Sequence, residues 1–371
     1  MKPFRYGCVV TDDAFCPRPG LQKALEGHIR DGQNVVLTGE RRTGKTSLIH
    51  ETCKGMKRWR MLYADLLNIR TAADFCNRVA TAAAHLGPAS SLAGKALQFL
   101  SRLRPTLSLD PSSGMPVVSV DSALAADPRS MDDVMGMVGK LAAGGRTFVV
   151  FDEFQEIRRI PDWEQALAVL RSRIQMLPEV CFVFSGSVRA DIVDIFTNPS
   201  SPFFKSAIAL TVGPVPDDDF APFLTERFAR GRRTVARDLL DEIFDFTNRL
   251  PGDVQQFCSA VWNATDPGTV VGREDLKRAL SDIFAQEGGA FEIQTERLTR
   301  FQFKALVAVA RWGGKKVFSG EFIRHAEAPS AATVARALKS LVGTGLLFVH
   351  EREYRFFNPF LRAWLLARFP I

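Results

Sequence analysis

The sequence predicts an α/β domain with a parallel sheet, followed by two smaller parts made mainly of helices. Two observations lead to this prediction. As far as Pro214, apolar runs of strand length alternate with helical segments, the pattern of parallel strands joined by crossover helices. After Pro214 the pattern is helical from Phe220 to Asp282, and short helices with two alternating strands follow. We therefore expect three parts, at residues 1–214, 215–290 and 291–371.

The first part contains five apolar runs that have the length of buried strands, with helices between them. Such runs are typical of parallel strands that are covered on both faces. They lie at 34–38, 61–65, 147–151, 180–184 and 208–212. Helices are predicted at 21–29, 47–54, 72–86, 92–103, 131–143, 163–177 and 190–197. Within 105–128, apolar residues on both sides of the turn sequence Asp110-Pro111-Ser112-Ser113-Gly114 predict an inserted hairpin.

The first predicted strand leads directly into a complete G-x-x-x-x-G-K-T motif. Its residues are Gly39, Glu40, Arg41, Arg42, Thr43, Gly44, Lys45 and Thr46, and Ser47 follows as a further hydroxyl. Backbone N–H groups of such a loop, and of the helix that it opens, converge on phosphate oxygens. Lys45 would reach the β- and γ-phosphates, and the Thr46 hydroxyl would ligate Mg²⁺. The motif therefore predicts a nucleotide site that contains these nine residues.

A second motif follows the apolar run Thr147-Phe148-Val149-Val150-Phe151, where Asp152 and Glu153 stand side by side. The carboxyl end of a parallel strand lies where phosphates bind in such sheets. Asp152 would hold Mg²⁺ through water, and Glu153 would polarise the attacking water. Lys45, Asp152 and Glu153 are therefore the predicted catalytic residues. The alternative is that the acidic pair only caps the next helix.

The strand at 180–184 ends in Ser185-Gly186-Ser187. Polar side chains at this strand end would face the γ-phosphate, so Ser187 is a candidate nucleotide contact. The alternative is a turn of small residues that caps the helix at 190–197. Both interpretations remain open at this point.

Composition narrows the class of protein. The chain of 371 residues is 46% apolar and 24% charged, which suits globular domains with substantial cores. No apolar run approaches the ~18 residues of a membrane helix, and no signal peptide is evident. The six cysteines form no C-x-x-C pair, and the five histidines have no ligand spacing. These features favour a cytoplasmic protein without membrane association, in which Mg²⁺ is the only metal expected.

The basic excess of the chain lies at its C-terminus. Residues 291–371 carry 13 Lys and Arg against 6 Asp and Glu, and the rest of the chain is formally neutral. Helices ending at Trp312, near 319–326 and after Ser330, followed by strands at 346–350 and 354–357, predict a winged helix. Arg336 and Lys339 would lie on the outer face of its third helix, and Arg352 in its wing. They are candidate DNA contacts, although they also suit an ordinary solvated surface, and Glu351 and Glu353 would repel phosphate.

The chain resembles bacterial and archaeal ATPases of the AAA+/STAND group, also called the archaeal ATPase family, over almost its whole length. The resemblance rests on six segments. They are 39–48, 150–155, Phe184-Ser185-Gly186-Ser187, Ser201-Pro202-Phe203-Phe204, Leu250-Pro251-Gly252-Asp253-Val254-Gln255 and 357–364. It implies an α/β fold of the P-loop NTPase, AAA+-like class: a parallel sheet core, a helical lid and a C-terminal winged-helix domain.

The resemblance also implies a cofactor set and further contacts. ATP with Mg²⁺ is the expected ligand, bound between core and lid. Phe15 and Arg18 would lie near the adenine, and Pro251 of the lid motif would be a further nucleotide contact. Two positions depart from the family pattern: Lys205-Ser206 stands where Gly-Arg is common, and Arg249 takes the glycine position of Gly-x-Pro. Both departures are compatible with slow or partner-dependent hydrolysis.

The leading functional hypothesis is an ATPase that binds ATP or ADP and whose nucleotide state controls DNA or partner binding through the winged helix. The rival is a protein-interaction switch whose winged helix never touches DNA and instead packs on the ATPase core or recruits an effector. Double-stranded DNA, a protein partner and a second copy of the chain are the candidate partners. A third hypothesis, a scaffold that binds nucleotide without hydrolysis, is disfavoured because Lys45, Thr46, Asp152 and Glu153 are all present.

Overall fold

The computed structural model describes residues 3–86, 106–109, 116–119, 128–187, 190–350 and 352–369. Internal contacts divide the chain into two units. One is Gly7–Val215, and the other consists of the chain from Pro216 onwards together with the N-terminal residues up to Tyr6. The predicted helix at 92–103 lies outside the described residues.

The first unit is built on a five-stranded parallel sheet. Its strands are β1 (Val35–Gly39), β2 (Arg60–Asp65), β5 (Thr147–Asp152), β6 (Cys181–Ser187) and β7 (Ile208–Thr211). They are arranged in the order β2-β5-β6-β1-β7. β3 (Thr106–Leu109) and β4 (Pro116–Ser119) form a separate antiparallel pair, which confirms the inserted hairpin. The parallel α/β fold predicted from the alternating pattern is thus confirmed.

The central strand β5 shows why an unbroken apolar run is needed. All six of its residues are buried. Val149 and Phe151 belong to the hydrophobic cluster on one face of the sheet, whereas Phe148 and Val150 belong to the cluster on the other face. Successive side chains of a strand point to opposite faces, so a strand covered by helices on both sides requires an apolar residue at every position.

Helices cover the sheet and connect its strands. They are α1 (Pro19–Arg30), α2 (Lys45–Gly55), α3 (Ala72–Ala84), α4 (Pro128–Ala142), α5 (Trp163–Gln175) and α6 (Ala190–Thr197). A 3-10 helix, Phe154–Arg159, follows β5 directly. The start of α3 is set by Thr71 and Asp74, which form a reciprocal capping box. Because β1 and β5 both run parallel to β6, the two motif segments that follow them lie at the same edge of the sheet.

The second unit is helical up to its last strands. Its elements are α7 (Asp217–Arg230), α8 (Arg237–Phe246), α9 (Pro251–Asn263), α10 (Arg273–Glu296), α11 (Arg300–Trp312), α12 (Gly320–His325), α13 (Ala331–Gly343), β8 (Leu347–His350), β9 (Glu353–Phe356) and α14 (Pro359–Arg368). α10 runs through residue 290, where the sequence predicted a boundary, and its Phe291 ring lies 5.9 Å from the ring of Trp364 on α14. The division into three parts stays a prediction.

The last four helices begin at capping residues that the sequence displays. The side chains of Thr299, Ser319, Ser330 and Asn358 each accept a backbone hydrogen bond from the first turn of the helix that follows. Such caps satisfy N–H groups that have no partner within the helix. They set the starting points of α11 to α14, and β8 pairs antiparallel with β9 as the wing. Among the described helices, none combines the length and the apolar character that a bilayer crossing requires.

Candidate functional site

The phosphate-loop motif forms the connection between β1 and α2. Gly39 ends β1, and a Cβ on this residue would lie 2.3 Å from the carbonyl oxygen of Val212, so only glycine fits. Gly44 has φ 84° and Arg42 has φ 65°, both in the left-handed region. The loop therefore turns sharply before Lys45 opens the helix, and the N-terminal N–H groups of α2 point towards the loop.

Lys45 is 7% exposed and lies inside this loop. Its ammonium donates hydrogen bonds of 2.9 Å to the carbonyl oxygens of Gly39 and Glu40. Burial lowers the pKa of Lys45, while the neighbouring carboxylates of Glu153 and Asp152 act in the opposite direction. A buried cation beside free helix N–H groups suits a polyanion such as a nucleotide phosphate chain.

Asp152 lies at the end of β5 and joins the two motifs. The Thr46 hydroxyl donates to Oδ2 of Asp152 at 2.7 Å, and the Tyr63 hydroxyl donates to the same oxygen at 2.6 Å. The backbone N–H of Glu153 donates to Oδ1 at 3.0 Å. Burial and the Asp152 carboxylate raise the pKa of Tyr63, so its hydroxyl stays a donor. The carboxylate of Asp152 is thereby oriented by three donors.

Thr46 and Asp152 together have the donor chemistry of a magnesium site. Mg²⁺ takes oxygen ligands, and in nucleotide sites one or two protein oxygens suffice because phosphates and water supply the rest. The hydroxyl and the carboxylate lie within hydrogen-bond distance of each other, at the start of α2 and at the end of β5. The residues present therefore fit Mg²⁺ bound with a nucleotide.

Glu153 has φ 51°, a left-handed backbone that is uncommon for a residue other than glycine. It precedes the 3-10 helix Phe154–Arg159, but its side chain makes no capping hydrogen bond. The carboxylate instead accepts a hydrogen bond at Oε2 from the side-chain amide of Gln155. The geometry thus gives no support to the capping alternative for Glu153.

The end of β6 brings further polar atoms to the same edge. The hydroxyls of Ser185 and Ser187 and Oε1 of Gln155 are buried, and none of them has a hydrogen-bond partner among the described residues. A buried polar atom without a partner costs free energy, and such atoms are few in folded proteins. The nucleotide contact of Ser187 stays a prediction.

The predicted adenine-side residues lie in the segment before α1. The Arg18 guanidinium is buried and donates to the carbonyl oxygen of Gly213 at 2.9 Å, and burial lowers its pKa. The Phe15 ring packs into the hydrophobic cluster that contains Leu25 and Val212. The Ser47 hydroxyl accepts from the N–H of Val10 at 3.1 Å, which ties this segment to α2. The adenine contacts of Phe15 and Arg18 remain predictions.

The two positions that depart from the family pattern share one backbone feature. Lys205 has φ 52° and Arg249 has φ 60°, the left-handed conformation that glycine adopts without a steric cost. Arg249 also pairs with Asp217 at 3.1 Å and with Asp245 at 2.8 Å. Pro251 stands in the first turn of α9. Both positions therefore have a backbone conformation that glycine favours.

The winged helix places its predicted DNA contacts on the surface. Arg336 and Lys339 on α13 and Arg352 in the turn of the wing are exposed, and none forms an ion pair with a described residue. Glu353 pairs with Arg355 at 2.8 Å. The buried stripe of α13 consists of Val334, Ala337, Leu338 and Leu341. Val342, which follows Leu341, is only half-buried, whereas Ala337 lies one turn before Leu341 on the buried face.

Three side chains at the site were not predicted from the sequence as functional residues: Tyr63, His50 and Gln155. Tyr63 lies near the end of β2, beside β5, and its ring centroid is 4.9 Å from that of His50 on α2. The carboxyl ends of parallel strands meet at one edge, so polar residues near the ends of all predicted strands are the signal that would have found Tyr63. The contact of Gln155 depends on the 3-10 turn, which has no sequence signature here.

Comparison with known proteins agrees with this architecture. Residues 289–367 match a family described as a probable winged helix domain. A Walker-type ATPase of Pyrococcus abyssi has a similar structure, with a TM-score of 0.64, 19% identity, and 96% of this chain and 97% of that chain covered. No curated protein matches the sequence.

Two proteins of Aeropyrum pernix have similar structures as well. The ORC2 protein, in ADPNP and ADP complexes, has a TM-score of 0.54 at 14% identity, with 96% of this chain and 97% of that chain covered. The ORC1 protein, in complex with DNA, has a TM-score of 0.51 at 14% identity, with 96% and 94% covered. The chain therefore has the fold of an archaeal Walker-type P-loop ATPase with a winged-helix domain at its C-terminus.

Proposed function

We propose that the protein is a Mg²⁺-dependent ATPase of the AAA+/STAND type whose nucleotide state controls binding of DNA or a partner through the winged helix. The observation that carries the first half is the hydrogen bond between Thr46 and Asp152. These residues are far apart in the sequence, and the fold joins them beside the buried Lys45. This is the arrangement that phosphoryl transfer requires.

Each residue of the site has a role in the proposed reaction. Lys45 would bind the β- and γ-phosphate oxygens, since its ammonium would exchange two backbone carbonyl partners for charged ones. Bound Mg²⁺ would neutralise phosphate charge. Glu153 would accept a proton from the attacking water as the water oxygen bonds to the γ-phosphorus and the bond to the β–γ bridging oxygen breaks. The products are ADP and phosphate.

DNA is the first candidate for the partner of the winged helix. Support comes from the exposed Arg336, Lys339 and Arg352, none of which forms an ion pair with a described residue. Unpaired cations on one domain are the electrostatic requirement for phosphate binding. The similar ORC1 protein of Aeropyrum pernix was solved in complex with DNA, which gives the proposal a structural precedent.

A protein partner is the second candidate, and a separate observation favours it. Several large apolar side chains of the winged helix are exposed, among them Trp312 by 42%, Phe318 by 52% and Val349 by 52%. Gly314 brings the segment after α11 against the wing, since its carbonyl oxygen accepts from the N–H of Tyr354 at 3.1 Å, and Tyr354 pairs with Val349 across the sheet. Exposed apolar groups of this kind suit a protein surface better than phosphate.

The test is ATP turnover by the purified chain with and without double-stranded DNA, with Lys45→Ala as the blank and Glu153→Gln as a variant that binds ATP without turnover. Turnover that DNA stimulates, and that is absent from the blank, supports the DNA-coupled ATPase. Turnover that ignores DNA supports the protein-partner switch. Wild-type turnover equal to that of Lys45→Ala rejects the ATPase.

A further inference from the structure

The carboxylate of Glu153 does not stand alone at the end of β5. Its Oε2 atom accepts a hydrogen bond from the Gln155 side chain, two residues further along the chain. A carboxylate oxygen can only accept, so the amide nitrogen of Gln155 must face it, which settles the orientation of the amide. We propose that Gln155 is a positioning residue that holds Glu153 for proton abstraction, an inference that rests on the proposed ATPase activity.

The backbone and its core fix where the Gln155 side chain lies. Gln155 is in the first turn of the 3-10 helix Phe154–Arg159 and is 4% exposed. Phe154, between it and Glu153, is fully buried, with ring centroids 4.7 Å from Phe184 and 5.6 Å from Phe203. The packed aromatic core therefore fixes the positions of the side chains next to Phe154 in this turn.

Gly186 on β6 makes room for the amide. A Cβ added at Gly186 would lie 2.2 Å from Oε1 of Gln155 and 2.6 Å from Cδ1 of Ile192. The amide thus packs directly on the backbone of the neighbouring strand, and any side chain at residue 186 would displace it. Gly186 is not in the left-handed region, so this close approach is the reason that glycine is needed there.

The position of Gln155 has a cost that packing alone does not explain. Its Oε1 is buried and has no hydrogen-bond partner among the described residues. An apolar residue of similar size would fill the same space without an unsatisfied oxygen. What the amide alone provides is the donor to Glu153. One carboxylate oxygen is then occupied, and the other is left to take the proton from water.

The main test compares wild type with Gln155→Ala and Gln155→Glu, using Mg²⁺ and ATP as the probe. Gln155→Glu keeps the size of the side chain but replaces the donor nitrogen by an oxygen. Loss of one hydrogen bond to a charged group predicts a fall in kcat of about tenfold to a hundredfold for both variants. The Kd for ATP should change by less than about twofold, since the contact acts on the base and not on the bound phosphates.

The contact with Gly186 provides a second, independent variant. Gly186→Ala should lower kcat in the wild-type background because the new methyl group displaces the amide. In the Gln155→Ala background the amide is gone, so the same substitution should have little further effect on kcat. Equal effects in both backgrounds would show that the added methyl group acts through its contact with Ile192 and not through Gln155, which would overturn the inference.

Other outcomes are equally decisive. An unchanged kcat in Gln155→Ala contradicts the inference while the ATPase activity stands. A joint fall of kcat, ATP affinity and thermal midpoint shows a merely structural role and also overturns it. Wild-type turnover no higher than that of Glu153→Gln rejects the proposed function itself, and the inference falls with it.

Discussion

The Tyr63 hydroxyl donates a hydrogen bond of 2.6 Å to Oδ2 of Asp152, the oxygen that also accepts from Thr46. The strands that carry the two residues are neighbours in the sheet, with Asp65 opposite Asp152 in the register. A carboxylate held from two sides is presented in one orientation, which favours metal binding through a fixed geometry.

We therefore expect Tyr63→Phe to weaken Mg²⁺ binding rather than ATP binding. The ring and its packing on His50 are kept, and only the donor is lost. One hydrogen bond to a charged group predicts an increase of about tenfold in the Mg²⁺ concentration for half-maximal turnover. A magnesium titration of turnover at saturating ATP measures it, with Tyr354→Phe in the wing as the matched control. An unchanged midpoint would show that Thr46 and the backbone N–H of Glu153 orient Asp152 without Tyr63.

The left-handed backbone at Lys205 and Arg249 predicts two substitutions with different outcomes. Lys205→Gly removes the steric cost of φ 52°, and after the entropy of glycine in the unfolded chain is subtracted, a gain of about 0.5–1 kcal/mol in the free energy of unfolding remains. Arg249→Gly removes a similar cost at φ 60° but also loses the ion pairs with Asp217 and Asp245. Exposed ion pairs contribute a small amount of stability, and their loss subtracts that amount. The expected gain for Arg249→Gly is therefore smaller than for Lys205→Gly.

Denaturant titrations of the two glycine variants measure these changes. Lys205→Ala and Arg249→Ala are the controls, because alanine shortens the side chain without relieving the backbone. A stability of Lys205→Gly no higher than that of Lys205→Ala would contradict the prediction.

We expect His50 to make the folded chain less stable at acid pH. Burial lowers the pKa of His50 below its usual 6.5, with the Asp152 carboxylate raising it and the Lys54 ammonium lowering it as smaller effects. With the folded pKa depressed, the unfolded chain binds the proton more readily. The His50 contribution to stability is therefore intact above pH 6.5 and is lost as the pH falls through the folded pKa.

The measurement is the thermal midpoint at a series of pH values for wild type and His50→Gln. Between neutral pH and about pH 5, we expect the wild type to lose more stability than the variant, since glutamine has no proton to bind. Parallel curves for the two proteins would show that His50 is not responsible.

If α13 contacts DNA, substitutions on α13 should change how strongly the DNA affinity depends on salt concentration. Arg336→Ala with Lys339→Ala removes two exposed cations, so the slope of log K against log salt should become shallower by about 2 when both contact phosphate. The control is Arg273→Ala with Lys277→Ala, which removes two similarly exposed cations from α10. Fluorescence anisotropy of labelled double-stranded DNA measures both slopes. Equal slopes for the two double variants would place the contact elsewhere or nowhere.

The elements of the site were predictable from sequence because each rests on a local pattern. Gly39, Gly44 and Lys45 follow from the motif, and Asp152 from the end of an apolar run. The parallel sheet follows from alternating strand and helix patterns. Helix starts follow from caps such as Ser330, and the predicted bounds differ from the observed ones by a few residues because helix ends fray.

The sequence by itself determined the chemistry of the site, since a phosphate loop and an acidic strand end need only local backbone geometry. The tertiary structure alone decided which side chains support that chemistry. Tyr63 reaches Asp152 because β2 and β5 are adjacent, and Gln155 reaches Glu153 because a 3-10 turn and the space at Gly186 allow it. Strand order and close backbone approach depend on packing across the whole domain, and no local pattern records them.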